Sequence, residues 1–161
     1  MNVHIVHDSQ MGNGKQIAER LAAELTARGA QVVVGRQSEL TAESVAASPP
    51  DLLVVGTAVR RFMTSPQTKT WLSRLAAELK RRGTKIPRTA VFFTHLMPDA
   101  LIKGKVRRLQ RLLSQAVGID EVYAQWLSGR VKAMPGPLVD GVLEQAAAFA
   151  ARLHDWAQPK P

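Results

Sequence analysis

Val3-His4-Ile5-Val6-His7-Asp8-Ser9-Gln10-Met11-Gly12-Asn13-Gly14-Lys15-Gln16-Ile17 is the stretch on which the fold turns. Val3 to Val6 is apolar on both faces, as a strand covered on each side must be. Ile17, Leu21 and Leu25 then recur every four residues, with Ala18 and Ala22 widening the stripe, which predicts a helix from about Asn13 to Arg28 closed by Gly29. The turn between them, Asp8 to Gly14, contains two glycines that let the backbone approach a ligand closely. It aims free N–H groups and the positive end of the helix dipole at whatever sits there. An anion suits such a place; a compact connection with no ligand is the plainer reading of the same glycines.

Outward from that unit the pattern repeats. Val32-Val33-Val34 reads as a second strand, Thr41 to Ala47 as a short helix stopped by Ser48-Pro49-Pro50, and Leu52 to Val55 as a third strand closed by Gly56. Ser65-Pro66 is a helix start, and Trp71, Leu72, Leu75, Ala76 and Leu79 give its buried stripe up to Gly83. Ala90 to Phe93 is a fourth strand; Val106, Leu109, Leu113 and Val117 mark a helix ended by Gly118. Val122 to Leu127 is the expected fifth strand, and Val139, Val142, Leu143, Ala146, Ala150 and Leu153 line a last helix. Strands alternating with helical crossovers imply a parallel sheet with helices on both faces. Right-handed crossovers leave a few doubly wound topologies, whose ligands bind beyond the carboxyl ends of the strands. The loops to read are thus Asp8 to Gly14, Gly56 to Thr64 and Thr94 to Lys103. One domain is expected over residues 1–157, with Gln158 to Pro161 a loose tail.

The first loop fails two familiar templates. A P-loop needs glycine where Ser9 stands and a hydroxyl where Gln16 stands; the dinucleotide fingerprint needs a third glycine where Ile17 stands. Ser9-Gln10-Met11-Gly12-Asn13-Gly14 instead resembles the phosphate loop of the flavodoxin family, T/S-x-T-G-x-T. Asp51-Leu52-Leu53-Val54-Val55-Gly56-Thr57-Ala58 is similar to that family's third strand and second flavin loop, and Ser65-Pro66 with Trp71-Leu72 falls where its next helix begins. The resemblance covers about Met1 to Thr94 and is vaguer beyond.

It implies a flavodoxin-like three-layer αβα sandwich, a five-stranded parallel sheet of order 2-1-3-4-5, and FMN as cofactor. Ser9, Gln10, Met11, Gly12, Asn13, Gly14 and Lys15 would then hold the phosphate, while Thr57, Ala58, Val59, Arg60, Arg61 and Phe62, with Thr94, His95 and Leu96, would line the ring. Two family hydroxyls are replaced by Met11 and Gly14. Hydrogen bonds to charged groups are worth about 1.5–3 kcal/mol each, so losing two would weaken FMN binding by roughly two to four decades unless compensated. Lys15, Arg60 or Arg61 would supply charge instead.

Phe62 has two readings, a ring stacked on the flavin or one tucked into the core, and the arginines either pair with the cofactor or are merely solvated. The third loop lacks an aromatic residue; His95 either donates to the flavin or bonds to nearby backbone. The implied function is electron transfer or flavin-dependent reduction. The alternative is a flavin-free protein of this fold that binds nucleic acid or an acidic protein through its surface.

Composition bounds the rest. The chain has 161 residues and no cysteine, which excludes disulfides, thiolate metal sites and cysteine nucleophiles. Redox chemistry must then come from a bound cofactor. The net charge of +9 favours acidic partners. Lys103, Lys105, Arg107, Arg108 and Arg111, beside the third loop, would dock an acidic redox partner protein. Nucleic acid is the less favoured partner, with 5% aromatic residues and no recognition motif. No signal peptide or membrane-inserting stretch is seen, so a cytoplasmic location is expected. His4 and His7 lie three apart on a strand and so face opposite ways, and no G-x-S-x-G elbow occurs.

Overall fold

A computed structural model describes residues 1–158; the rest of the expected tail, 159–161, lies outside the described residues. Along the chain run β1 (Asn2–His7), α1 (Asn13–Ala27), β2 (Gln31–Arg36), α2 (Ala42–Ala47), β3 (Leu52–Arg60), β4 (Met63–Thr64), α3 (Pro66–Arg82), β5 (Ile86–His95), α4 (Asp99–Ser114), β6 (Ile119–Val122), β7 (Leu127–Arg130) and α5 (Val142–Ala157). The main sheet is parallel, in the order β2-β1-β3-β5-β6. With the two-residue β4 set aside, this is the expected order 2-1-3-4-5.

Each helix covers the sheet with its apolar stripe. Ile17, Leu21 and Leu25 of α1 join Phe149 and Leu153 of α5 against Ile5, Val54 and Phe92 on one face. Trp71, Leu75 and Leu79 of α3 join Val106 and Leu109 of α4 against Val6, Val55 and Phe93 on the other. A fully buried side chain of this size contributes about 1.5–3 kcal/mol. Gly56, on β3, leaves room for a neighbour: a Cβ built there would lie 2.0 Å from the Phe92 ring. Gly83 ends α3 with φ 66°, a conformation that costs glycine little. By contrast α4 already stops at Ser114, short of the expected Val117, and Gly118, with φ 89°, lies in the turn into β6.

Four further expectations are corrected. The fifth strand is not continuous over Val122 to Leu127. β6 pairs with β5 up to Thr89↔Val122, β7 resumes at Phe92↔Leu127, and the edge carries two residues more than β5 between those pairs. The excess is taken up by aromatic anchors on opposite faces. Tyr123 packs on Phe149 and Trp156, while Trp126 packs on Phe93 and His95. Second, β3 continues past Val55 to Arg60 and folds back through β4 as an antiparallel hairpin. Third, the third loop is only Leu96-Met97-Pro98, because α4 starts at Asp99. Fourth, the last helix starts at Val142, not Val139, since Val139 bonds back to Arg130. Among the described residues no helix is long and apolar enough to cross a membrane.

Candidate functional site

The loops meet where the chain leaves β1 for one side of the sheet and β3 for the other. Gly12 caps α1 with φ 87° and ψ −14°, in the left-handed region that glycine alone enters freely. Its N–H donates to Ser9 Oγ at 3.1 Å and its carbonyl accepts from Gln16 at 3.0 Å. The amides of Gln10, Met11, Asn13, Gly14 and Lys15 meet no acceptor among the described residues. Ser9, having accepted from Gly12, keeps its own O–H to give. The donor set and the helix dipole together fit a phosphomonoester.

The glycine at position 14 has a structural cause. A Cβ there would stand 3.2 Å from Ser9 Cβ and 3.7 Å from Thr94 Cγ2. Ser9 therefore crowds the place a side chain at position 14 would take, with Thr94 at ordinary contact distance.

The second loop is fastened to the first through Asp8. Its Oδ2 accepts from Thr68 Oγ1 at 3.1 Å, Thr57 Oγ1 at 3.2 Å and the Ala58 amide at 3.4 Å. Thr57 is thereby buried beneath the loop, not exposed to a ligand. Arg60 reaches back to donate from Nη2 to the Asp8 carbonyl at 3.1 Å. At the hairpin tip Arg61 and Phe62 both have positive φ, 46° and 64°. That turn throws Phe62 outward, 67% exposed, into a groove with Lys105, Arg108 and Leu112.

In the third loop His95 is buried. Its Nδ1 lies 2.7 Å from the Met97 carbonyl and its Nε2 2.9 Å from Ser128 Oγ, which in turn donates to Asp99 at 2.7 Å. Burial pushes the imidazole below its ordinary pKa, opposed by the Met97 carbonyl and Asp99. Its polar atoms are occupied in holding the loop.

Around one crevice the structure gathers Ser9, Gln10, Met11, Asn13 and Gly14 with Ala58, Val59 and Arg60, and with Thr94, His95 and Leu96. Four expected residues stand apart. Lys15 turns to solvent near Glu19 at 3.7 Å, Thr57 is buried, and Arg61 and Phe62 occupy the hairpin tip. Gly12 contributes backbone behind the loop. Val131 and Met134 also line the crevice and were missed in the sequence, although Pro135-Gly136-Pro137 marks a turn just past the last strand. Asn13 Nδ2 ties that turn down by donating to the Pro135 carbonyl at 2.6 Å.

The crevice encloses about 50 Å³, less than the roughly 300 Å³ at the small end of ligand sites. Met11 and Met134 stand at its rim, 53% and 57% exposed. Their unbranched side chains are the adaptable part of that rim.

A doubly wound parallel-sheet protein with a glycine-capped loop of free amides after its first strand is the class these features define. The model of the flavodoxin domain matches residues 4–115. The chain belongs to the flavodoxin family. No curated protein matches significantly. Among solved structures the chain is similar to a flavodoxin of Streptococcus pneumoniae TIGR4, at 18% identity and TM-score 0.73, covering 97% of this chain and 99% of that one. It is also similar to rubredoxin oxygen:oxidoreductase from Desulfovibrio gigas, at 16% identity and TM-score 0.74, over 97% of this chain and 36% of that one. A WrbA-like flavodoxin from Agrobacterium tumefaciens gives 19% identity and TM-score 0.66, over 97% and 96%. At these identities the likeness is one of fold.

Proposed function

We propose that this protein binds FMN in the crevice and acts in electron transfer or flavin-dependent reduction. The observation that carries this reading is the group of unpartnered amides around left-handed Gly12, at the mouth of α1. When bound, FMN supplies one- and two-electron redox chemistry. The chain's part is to bind and tune. The amides of the Gln10–Lys15 loop and the Ser9 hydroxyl hold the phosphate. Arg60, fixed by the Asp8 carbonyl, brings a positive charge to the ring side and favours the more negative, reduced cofactor. Ala58, Val59 and Leu96 keep water from the ring. His95, bonded at both nitrogens, keeps the third loop in place.

The electron partner in this reading is an acidic protein. Lys103, Lys105, Arg107, Arg108 and Arg111 of α4 pair with no carboxylate among the described residues and run along the helix from near the third loop to its last turn. Exposed cations steer an acidic partner at low salt.

Adding FMN to the purified chain while following flavin fluorescence tests the reading. A saturable, one-to-one quench is expected, weakened at least ten-fold in Gly12→Ala. Unquenched fluorescence with protein in large excess overturns it.

A further inference from the structure

On the other side of the Ser9–Gln10 segment lies a larger cleft, about 620 Å³, which the flavin reading does not use. It opens beyond the carboxyl ends of β1 and β2, roofed by α2 and the start of α3. Its volume falls within the roughly 300–1,000 Å³ typical of small-molecule sites.

The lining is mixed in charge. Arg36, at the end of β2, and Arg74, on α3, enter it as exposed guanidinium groups with no carboxylate partner among the described residues. Glu39, the acid nearest Arg36 in sequence, already accepts from the Arg36 amide at 2.8 Å. The floor is formed by His7 and Asp8. The Ser9 amide donates to His7 Nδ1 at 3.2 Å, which fixes the neutral ring's proton on Nε2, and that atom has no protein partner among the described residues. Asp8 spends Oδ2 on the two threonine hydroxyls, while Oδ1 has no donor among the described residues. Glu43 stands at the rim, and Trp71 supplies an apolar wall with its Nε1 already given to Leu40.

A bare polyanion would meet Asp8 and Glu43 as well as the arginines. A ligand carrying both an anion and hydroxyl donors answers every group: phosphate to Arg36 and Arg74, hydroxyls to Asp8 and Glu43, an acceptor to His7. Arg36 ends β2, the strand next to β1, where dinucleotide-binding doubly wound folds place an arginine for a ribose phosphate, while the carboxylates here come from Asp8 after β1 and Glu43 on α2. We propose that this cleft is a second binding site, for the phosphorylated ribose of a nucleotide.

The test is calorimetric titration of the full chain with adenosine 2′,5′-bisphosphate, run with and without saturating FMN, beside titrations with adenosine and inorganic phosphate. The expected result is one equivalent bound in both conditions, at least ten-fold tighter than either fragment. Arg36→Ala and Arg74→Ala should each weaken binding ten-fold or more, with Arg20→Ala, on α1, unchanged. Both arginines are exposed, so the variants should fold; circular dichroism checks this. Absence of saturable binding, displacement by FMN, or affinity unchanged from the unsubstituted chain in both arginine variants overturns the proposal. Arg36 and Arg74 line this cleft and not the flavin crevice, so their variants report on the cleft whether or not the chain retains flavin.

Discussion

Arg60 donates from Nη2 to the main-chain carbonyl of Asp8 at 3.1 Å, joining the end of β3 to the loop after β1. The neighbouring Arg61 sits at a hairpin tip and lines no part of the crevice. The two arginines are adjacent in sequence and unequal in place. Arg60→Ala should weaken FMN binding by about ten- to a hundred-fold, the value of a charged hydrogen bond of about 1.5–3 kcal/mol. It should also lower the reduction potential, because a cation beside the ring favours the reduced form. Arg61→Ala should do neither; a redox titration of both variants decides.

Phe62 faces the groove of α4, on the far side of the hairpin from the crevice. Phe62→Ser should therefore leave FMN affinity within about two-fold, a difference of some 0.4 kcal/mol. A fall of ten-fold or more in a fluorescence titration would restore the ring to a stacking role.

Asp8 carries the hydroxyls of Thr57 and Thr68 in the interior. Asp8→Ala strands the Thr68 hydroxyl, since Thr57 still donates to Thr68 Oγ1 at 2.9 Å, and one buried hydroxyl without an acceptor costs about 1–3 kcal/mol. Urea unfolding should show the loss, and FMN affinity should fall with it because both loops lose their common anchor.

Gly56→Ala should cost about 1–3 kcal/mol or more, as overpacking does, since the added methyl enters the Phe92 ring. Combining it with Phe92→Leu should recover part of the loss. Additive losses in a double-mutant cycle would place the strain elsewhere.

Burial lowers the pKa values of His95, His7 and His4 below the ordinary 6.5. In the acid range the unfolded chain then binds more protons than the folded one, so stability rises with pH there. The contribution is complete above pH 6.5 and is lost as pH falls from 6.5 through the lowered folded values. Unfolding midpoints in urea should drop between pH 7.5 and 5.5, and His95→Gln should flatten part of that slope.

Much of the frame was legible because it rests on local periodicity. The stripes of α1 and α3 and the glycines at 29 and 83 follow from residues that speak for their own segment, while the strand order came with the family resemblance. What escaped depends on distant partners or unmarked turns. Arg61-Phe62 adopts a two-residue reversal with no glycine or asparagine to announce it. The broken edge strand hangs on Tyr123 and Trp126 finding rings far along the chain. Met134 reaches the crevice only because Asn13 holds the Pro135 carbonyl, a pairing across most of the sequence.

Gly14 is wedged between Ser9 and Thr94. A threonine grafted onto that one position would have to push Ser9 aside by a few tenths of an ångström, disturbing the hydroxyl that already serves the loop. Positions 9 and 14 thus behave as a single lock, and anyone re-engineering the loop must turn both together.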